Sequence, residues 1–146
     1  MCRYGFKTYK SHFACFSCRK TFKQAHEADL VKKTDREFKC PECGGFMADL
    51  GLDFRSPRKT AVKEWKIIEG LYTIGTSFYS CGCNGPGYIP SHPRDYETYL
   101  NKVLQGYENH IATFQSQTLQ ECGDKLERIH YWNERADLVR KELLSI

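Results

Sequence analysis

The sequence predicts an α+β protein: a small three-stranded N-terminal sheet closed by a metal, then a helix, a Gly/Pro-rich loop and a C-terminal helical hairpin. Three observations predict it. Two Cys-x-x-Cys pairs stand 21 residues apart within the first third of the chain. Short strand-like segments flank those pairs. From Asp95 onward the apolar residues recur at three and four residues, which is helical spacing. The expected boundaries are 1–55 for the metal-held sheet, 56–93 for the connecting helix and loop, and 94–146 for the helices.

The metal site carries the most specific signal. Its first pair is Cys15-Phe16-Ser17-Cys18, and its second is Cys40-Pro41-Glu42-Cys43, followed by Gly44-Gly45. Zinc takes four donors at tetrahedral corners, with thiolate at about 2.3 Å. Two residues between cysteines allow a tight turn that turns both sulfurs toward one ion. Gly44 and Gly45 permit positive φ, so backbone N–H groups can point at the sulfurs. Four thiolates leave no open coordination position, so one structural Zn2+ is expected and no chemistry at it. The expected strands are Lys10–Ala14 before the first pair, Arg36–Lys39 before the second, and the alternating Phe46–Phe54 after it.

The run His12-Phe13-Ala14-Cys15-Phe16-Ser17-Cys18-Arg19-Lys20-Thr21-Phe22-Lys23, with Cys40-Pro41-Glu42-Cys43-Gly44-Gly45, resembles the zinc ribbons. With Asp53-Phe54-Arg55-Ser56-Pro57-Arg58-Lys59 added, it resembles a set of small, uncharacterised bacterial zinc-ribbon proteins. The resemblance covers about the first half of the chain. It implies a role in transcription, translation or protein docking, as a nucleic-acid-binding or adaptor module.

After the ribbon, Ser56-Pro57 reads as an N-cap with proline at the first helical position, and Thr60 is a later candidate cap. The helix is expected to run to about Glu69 and stop at Gly70. Its apolar face would be Val62, Trp65 and Ile67 or Ile68, with Lys59, Lys63 and Lys66 outward. Leu71–Ser80 is rich in β-branched and aromatic residues and is a candidate for a short strand. The loop Cys81-Gly82-Cys83-Asn84-Gly85-Pro86-Gly87 to His92-Pro93 admits three readings. It is a rigid connection, or it supplies Cys81, Cys83 and His92 to a second metal, or its free N–H groups face an anion.

In the last third, Tyr96, Leu100, Val103, Leu104, Tyr107, Ile111 and Phe114 form one helical stripe, expected to persist to about Leu119. Cys122-Gly123-Asp124 reads as a break, because glycine in a helix interior costs about 1 kcal/mol. A second helix would bury Leu126, Ile129, Trp132 or Asn133, Ala136, Val139 and Leu143. The alternative is a single long helix through Gly123, since Leu119, Cys122, Leu126, Ile129, Asn133 and Ala136 also keep a 3–4 spacing. Such helices pack within the chain or pair between protomers.

Composition bounds the function. The chain has 146 residues with 40% hydrophobic and 14% aromatic content, which suits a packed core. No apolar run approaches membrane-spanning length, and Met1–Lys7 has no apolar signal segment, so a cytoplasmic protein without membrane contact is expected. The net charge of +4 is uneven. Residues 1–66 hold 15 Lys+Arg against 8 Asp+Glu, and residues 67–146 hold 7 against 10. A polyanion would therefore meet the front of the chain. There Arg19, Lys20, Lys23, Arg55, Arg58 and Lys59 interleave with Phe16, Phe22 and Phe54, a pattern suited to phosphate contact and base stacking. A second class of function is a protein-interaction or homodimerisation module built on the C-terminal stripe Leu126, Ile129, Ala136 and Leu143. A third is an enzyme using the Cys81/Cys83/His92 loop. There is no P-loop and no GxGxxG, and His12, His26, His92, His110 and His130 are scattered, so no catalytic residue is assigned.

Overall fold

A computed structural model describes residues 9–25, 38–80 and 82–146. The architecture is α+β, a three-stranded antiparallel sheet followed by helices. The elements are β1 Ser11–Cys15, β2 Lys20–Gln24, β3 Ala48–Gly51, α1 Val62–Thr73, α2 Pro93–Ser116 and α3 Lys125–Ser145. The chain divides into two compact units, one of residues 1–72 and 76–89 and the other of residues 73–75 and 90–146.

In the first unit the sheet order is β2-β1-β3. Strand β1 lies in the middle, so both of its edges are hydrogen-bonded, and Ser11, Phe13, Ala14 and Cys15 are all buried. Its pairing with β2 turns on the first cysteine knuckle, with Cys15 opposite Lys20 and Phe13 opposite Phe22. Strand β3 pairs on the other side through Phe13–Asp49 and Ala14–Ala48, with a register shift between His12 and Phe13. The outer edge of β3 is closed by extended chain around Phe78. The Phe78 N–H donates to Leu50 O and the Asp53 N–H to Phe78 O, each at 3.0 Å. That approach requires glycine at position 51. Gly51 has φ +91°, and a Cβ there would stand 2.9 Å from the carbonyl carbon of Phe78.

Two strand expectations change. Residues 20–24 form β2, where the sequence suggests only a basic flank of the knuckle. KTFKQ carries one apolar side chain, so its strand character comes from hydrogen bonding to β1 rather than from an amphipathic pattern. Of the expected strand 36–39, residues 36 and 37 lie outside the described residues. Lys39 forms only an isolated bridge to Phe46.

Helix α1 begins at Val62 rather than at Pro57, because residues 56–60 are engaged elsewhere. The Ser56 hydroxyl accepts a hydrogen bond from Thr21 Oγ1 instead of capping a helix, and Arg58 O accepts from the indole N–H of Trp65. The helix passes Gly70, which is buried, and ends at Thr73. Gly75 at φ +86° follows, and the Thr76 N–H donates back to Leu71 O at 2.9 Å, a Schellman-type stop. Trp65, Ile67 and Ile68 are buried on the expected face, Leu71, expected in a strand, is buried in the helix as well, and Val62 is exposed. Trp65 meets Phe16 and Phe54 at ring-centroid distances of 6.5 and 6.4 Å, and Phe54 meets Phe78 at 5.3 Å. This aromatic cluster and Leu50 form the core of the first unit. Among residues 71–80 there is no named strand; Leu71–Thr73 complete α1.

In the second unit α2 and α3 are separate helices packed on each other, so the single long helix is excluded. Pro93 occupies the first turn of α2, two residues ahead of the expected start. Helix α2 ends at Ser116 rather than Leu119. Thr118 and Glu121 then form a reciprocal capping box: the Glu121 carboxylate accepts from Thr118 N–H at 2.7 Å, and Thr118 Oγ1 accepts from Glu121 N–H at 3.3 Å. Tyr96, Leu100 and Ile111 of α2 and Ala136 and Val139 of α3 are buried. Leu126, expected in the stripe, is 70% exposed. No described helix is long and apolar enough to cross a membrane.

Candidate metal centre

The two knuckles are local structures that meet in space. In the second, Gly44 N–H donates to Cys40 O and Cys40 N–H to Gly45 O, both at 2.8 Å. Gly44 has φ +73°, the left-handed turn that glycine permits without a Cβ clash. In the first knuckle the same place is taken by Arg19, at φ +52°, the one non-glycine residue with positive φ among those described. A non-glycine residue there carries about 1–2 kcal/mol of strain. Arg19 offsets part of it through its side chain, whose Nε donates to Lys59 O at 2.9 Å.

Strand β1 delivers Cys15, the first turn delivers Cys18, and the second knuckle delivers Cys40 and Cys43. Their four sulfurs all lie within 4.8 Å of one another. Cys15 and Cys43 are 3.6 Å apart, and Cys18 and Cys40 are 3.9 Å apart. A tetrahedron with metal–sulfur bonds of about 2.3 Å has edges of about 3.8 Å. A disulfide would bring two sulfurs to about 2.05 Å. The spacing therefore fits four ligands around one ion, and the donor chemistry fits zinc or another thiophilic metal. Among the described residues this is the one group of three or more His, Cys, Asp or Glu so placed.

Backbone dipoles already favour thiolate. Cys40 accepts N–H groups of Cys43 and Glu42, the latter at 3.4 Å, and its thiol falls to about 7. Cys18 moves the other way, to about 12, because the Cys43 sulfur faces it and burial disfavours a second charge. Four sulfurs this close cannot all ionise without a cation between them. Across the knuckles Lys20 forms an ion pair with Glu42. Both groups are shifted toward their charged forms, chiefly by that bond, and the Cys18 and Cys40 sulfurs add to the effect on Lys20.

The expected basic residues have different fates. Arg19 is tied to Lys59 O, and Lys20 is engaged by Glu42. Lys23, Arg55, Arg58 and Lys59 are exposed. Of the aromatics, Phe54 is 4% exposed, so it is core rather than a stacking surface. Phe16 is half-buried against Trp65 and Tyr72, and Phe22 is also half-buried. The most exposed aromatic among residues 9–25 and 38–54 is Phe46, with Lys39 placed 5.6 Å from its ring centroid. Sequence reasoning placed Phe46 in a strand and did not single it out. The signal that could have found it is its position opposite Lys39 across a knuckle.

Of the second-metal candidates, Cys81 lies outside the described residues, Cys83 is exposed, and His92 is exposed at the N-cap of α2. His26 also lies outside the described residues. His12 Nδ1 hydrogen-bonds Gly51 O at 3.0 Å, His110 stacks on Trp132, and His130 pairs with Glu134. Compared with known proteins, the chain matches no family model, no curated sequence and no solved structure.

Proposed function

We propose that this chain is a zinc-ribbon module in which Cys15, Cys18, Cys40 and Cys43 hold one structural Zn2+ and a neighbouring basic surface binds nucleic acid. One observation carries the reading. Segment 55–59 is fastened to the first knuckle by two hydrogen bonds of 2.9 Å, Arg19 Nε to Lys59 O and Thr21 Oγ1 to Ser56 Oγ. Those bonds bring Arg55, Arg58 and Lys59 alongside the β1–β2 turn that carries Arg19 and leads to Lys23. A common surface of these cations, far apart in sequence, would suit a phosphate backbone.

The zinc–thiolate centre would itself carry two negative charges, four thiolates less the divalent ion. In this reading Lys20 is engaged by Glu42, and the outward cations Arg55, Arg58 and Lys59 remain for phosphate. The test is binding of the zinc-loaded protein to labelled single-stranded and duplex DNA and RNA across a salt series. Affinity is expected to fall steeply with salt. The triple variant Arg55→Ala, Arg58→Ala, Lys59→Ala is expected to lose most of it while retaining one zinc per chain. Equal affinity in the triple variant would remove the assignment.

A further inference from the structure

The second knuckle holds an aromatic ring outward on a stiff support. Phe38 and Met47 are joined by a hydrogen bond from Met47 N–H to Phe38 O at 3.0 Å, and Lys39 is bridged to Phe46. Alternation along these short extended segments sends neighbours to opposite faces. Phe38 turns inward, its ring 4.3 Å from that of buried Phe13, and Met47 is half-buried. Lys39 and Phe46 turn outward. Phe46 is 67% exposed although it sits in a hairpin fixed at one end by Phe38 and at the other by Cys40 and Cys43. Lys39 Nζ lies over the ring at 5.6 Å from its centroid. One face of the ring therefore faces a cation, while most of the side chain stays exposed to a flat partner. At the tip of the same knuckle, Glu42 pairs with Lys20 of the first knuckle. The ring is thus carried by a knuckle that an ion pair joins to the one bearing Arg19 and Lys20.

We propose that Phe46, with Lys39 against its ring, is a stacking platform for an unpaired base, so that the nucleic acid this chain takes is single-stranded. This rests on the nucleic-acid reading above. A base inside a duplex has both faces occupied by its neighbours and cannot stack on a protruding ring, whereas any unpaired base can, whatever its identity. Lys39 then lies within reach of the phosphate next to the stacked base.

The experiment compares wild type with Phe46→Ala, Phe46→Leu and Phe46→Tyr, all zinc-loaded. Fluorescence anisotropy reads binding to a labelled single strand of about 15 nucleotides and to a duplex of about 20 base pairs, lengths that span one ordinary binding site. A 2-aminopurine in the single strand reports stacking, and zinc content is measured for each variant. Phe46→Ala and Phe46→Leu are expected to weaken single-strand binding about tenfold, to leave duplex binding and the salt slope unchanged, and to abolish the 2-aminopurine quenching. Phe46→Tyr, which keeps a ring, is expected to match wild type. Should Phe46→Ala lose its zinc, the Leu and Tyr variants decide the matter. Leu keeps the apolar bulk without the ring face, so equal binding by Leu and Tyr overturns the platform. Equal binding of both nucleic acids, with no variant altering it, also overturns the platform; the basic-face reading would survive if the Arg55/Arg58/Lys59 triple variant is still weakened. No binding by wild type even at low salt overturns both. If Phe46→Leu instead dissolves a dimer seen by sedimentation and leaves nucleic-acid affinity alone, the ring is a protein contact and the proposal falls.

Discussion

At the residue scale, the two knuckles solve one geometric problem with different residues. Each turns through a left-handed residue directly after its second cysteine, Gly44 in one and Arg19 in the other. Gly44→Ala meets no atom within 4 Å, so its cost is backbone strain alone, about 1–2 kcal/mol. Gly51→Ala combines positive φ with a 2.9 Å approach to the Phe78 backbone, so it is expected to cost distinctly more, about 3 kcal/mol or above. Denaturant unfolding of the zinc-loaded variants orders the two, and a smaller cost at position 51 would contradict the edge closure around Phe78. Trp65 works by burial and by one bond, its indole N–H donating to Arg58 O at 3.1 Å. Trp65→Ala is expected to cost about 3–5 kcal/mol, and Trp65→Phe less, because Phe keeps most of the ring packing and the Arg58 carbonyl still accepts from the Ala61 N–H at 2.9 Å. Legibility at this scale was mixed. The four cysteines were plain because ligand spacing is a local constraint. The burial of Phe54 and the exposure of Phe46 were not, since both residues sit in similar alternating sequence and only the neighbouring chain decides which face is covered.

At the scale of elements, the α2–α3 pair shows how small residues set helix approach. Ala136 is fully buried, so Ala136→Leu is expected to overpack its surroundings at a cost of about 1–3 kcal/mol. Leu138→Ala, at an exposed position of the same helix, is expected to be near neutral, and thermal melts of the two compare them directly. The connection between the helices is held by Glu121, whose carboxyl lies below its ordinary value of 4.5, mainly through the Thr118 backbone N–H. Because the folded value is depressed, the stabilisation is complete above the unfolded carboxylate range. It is lost as pH falls through the folded value. Glu121→Gln is therefore expected to lower helical stability at about pH 7, where the carboxylate contributes, to change little at low pH, and so to flatten the loss below about pH 4.5. An acid titration followed by circular dichroism reads it, and parallel wild-type and variant curves would show that Glu121 contributes nothing. The break itself was foreseen at Cys122-Gly123-Asp124, but the chain leaves the helix earlier, at Ser116. The capping box of Thr118 and Glu121 competes for the backbone there, and a stripe count does not weigh that competition.

At the scale of the molecule, the chain forms two compact units with unlike means of support. The first unit has a small core of aromatic rings and a four-cysteine site placed to hold a metal, so its stability is expected to depend on a bound ion. The helical unit has its own apolar contact and no cluster of metal ligands among the described residues. Removing a bound metal with a strong chelator is expected to make residues 11–25 and 38–60 protease-sensitive and to spare most of the helical signal of α2 and α3. Loss of both together would mean that the two units unfold as one. Cys40→Ser is expected to reproduce the chelator result without a chelator.

By itself the sequence determined the features that depend on few neighbours: the spacing of the four cysteines, the helical period from Tyr96 to Val139, the buried face of α1 and the basic bias of the first 66 residues. Only the tertiary structure decided the rest. It made a strand of Lys20–Gln24, which hydrogen-bonds to β1 although its own pattern is weak. It moved the start of α1 to Val62, because Ser56, Arg58 and Lys59 commit their hydrogen-bonding groups to Thr21, Trp65 and Arg19. It turned Phe54 inward and Phe46 outward. The physical reason is common to all three. Ligand spacing and amphipathic period are written into adjacent residues, whereas backbone pairing and the covering of a face depend on groups from other segments of the chain, which a local pattern does not contain.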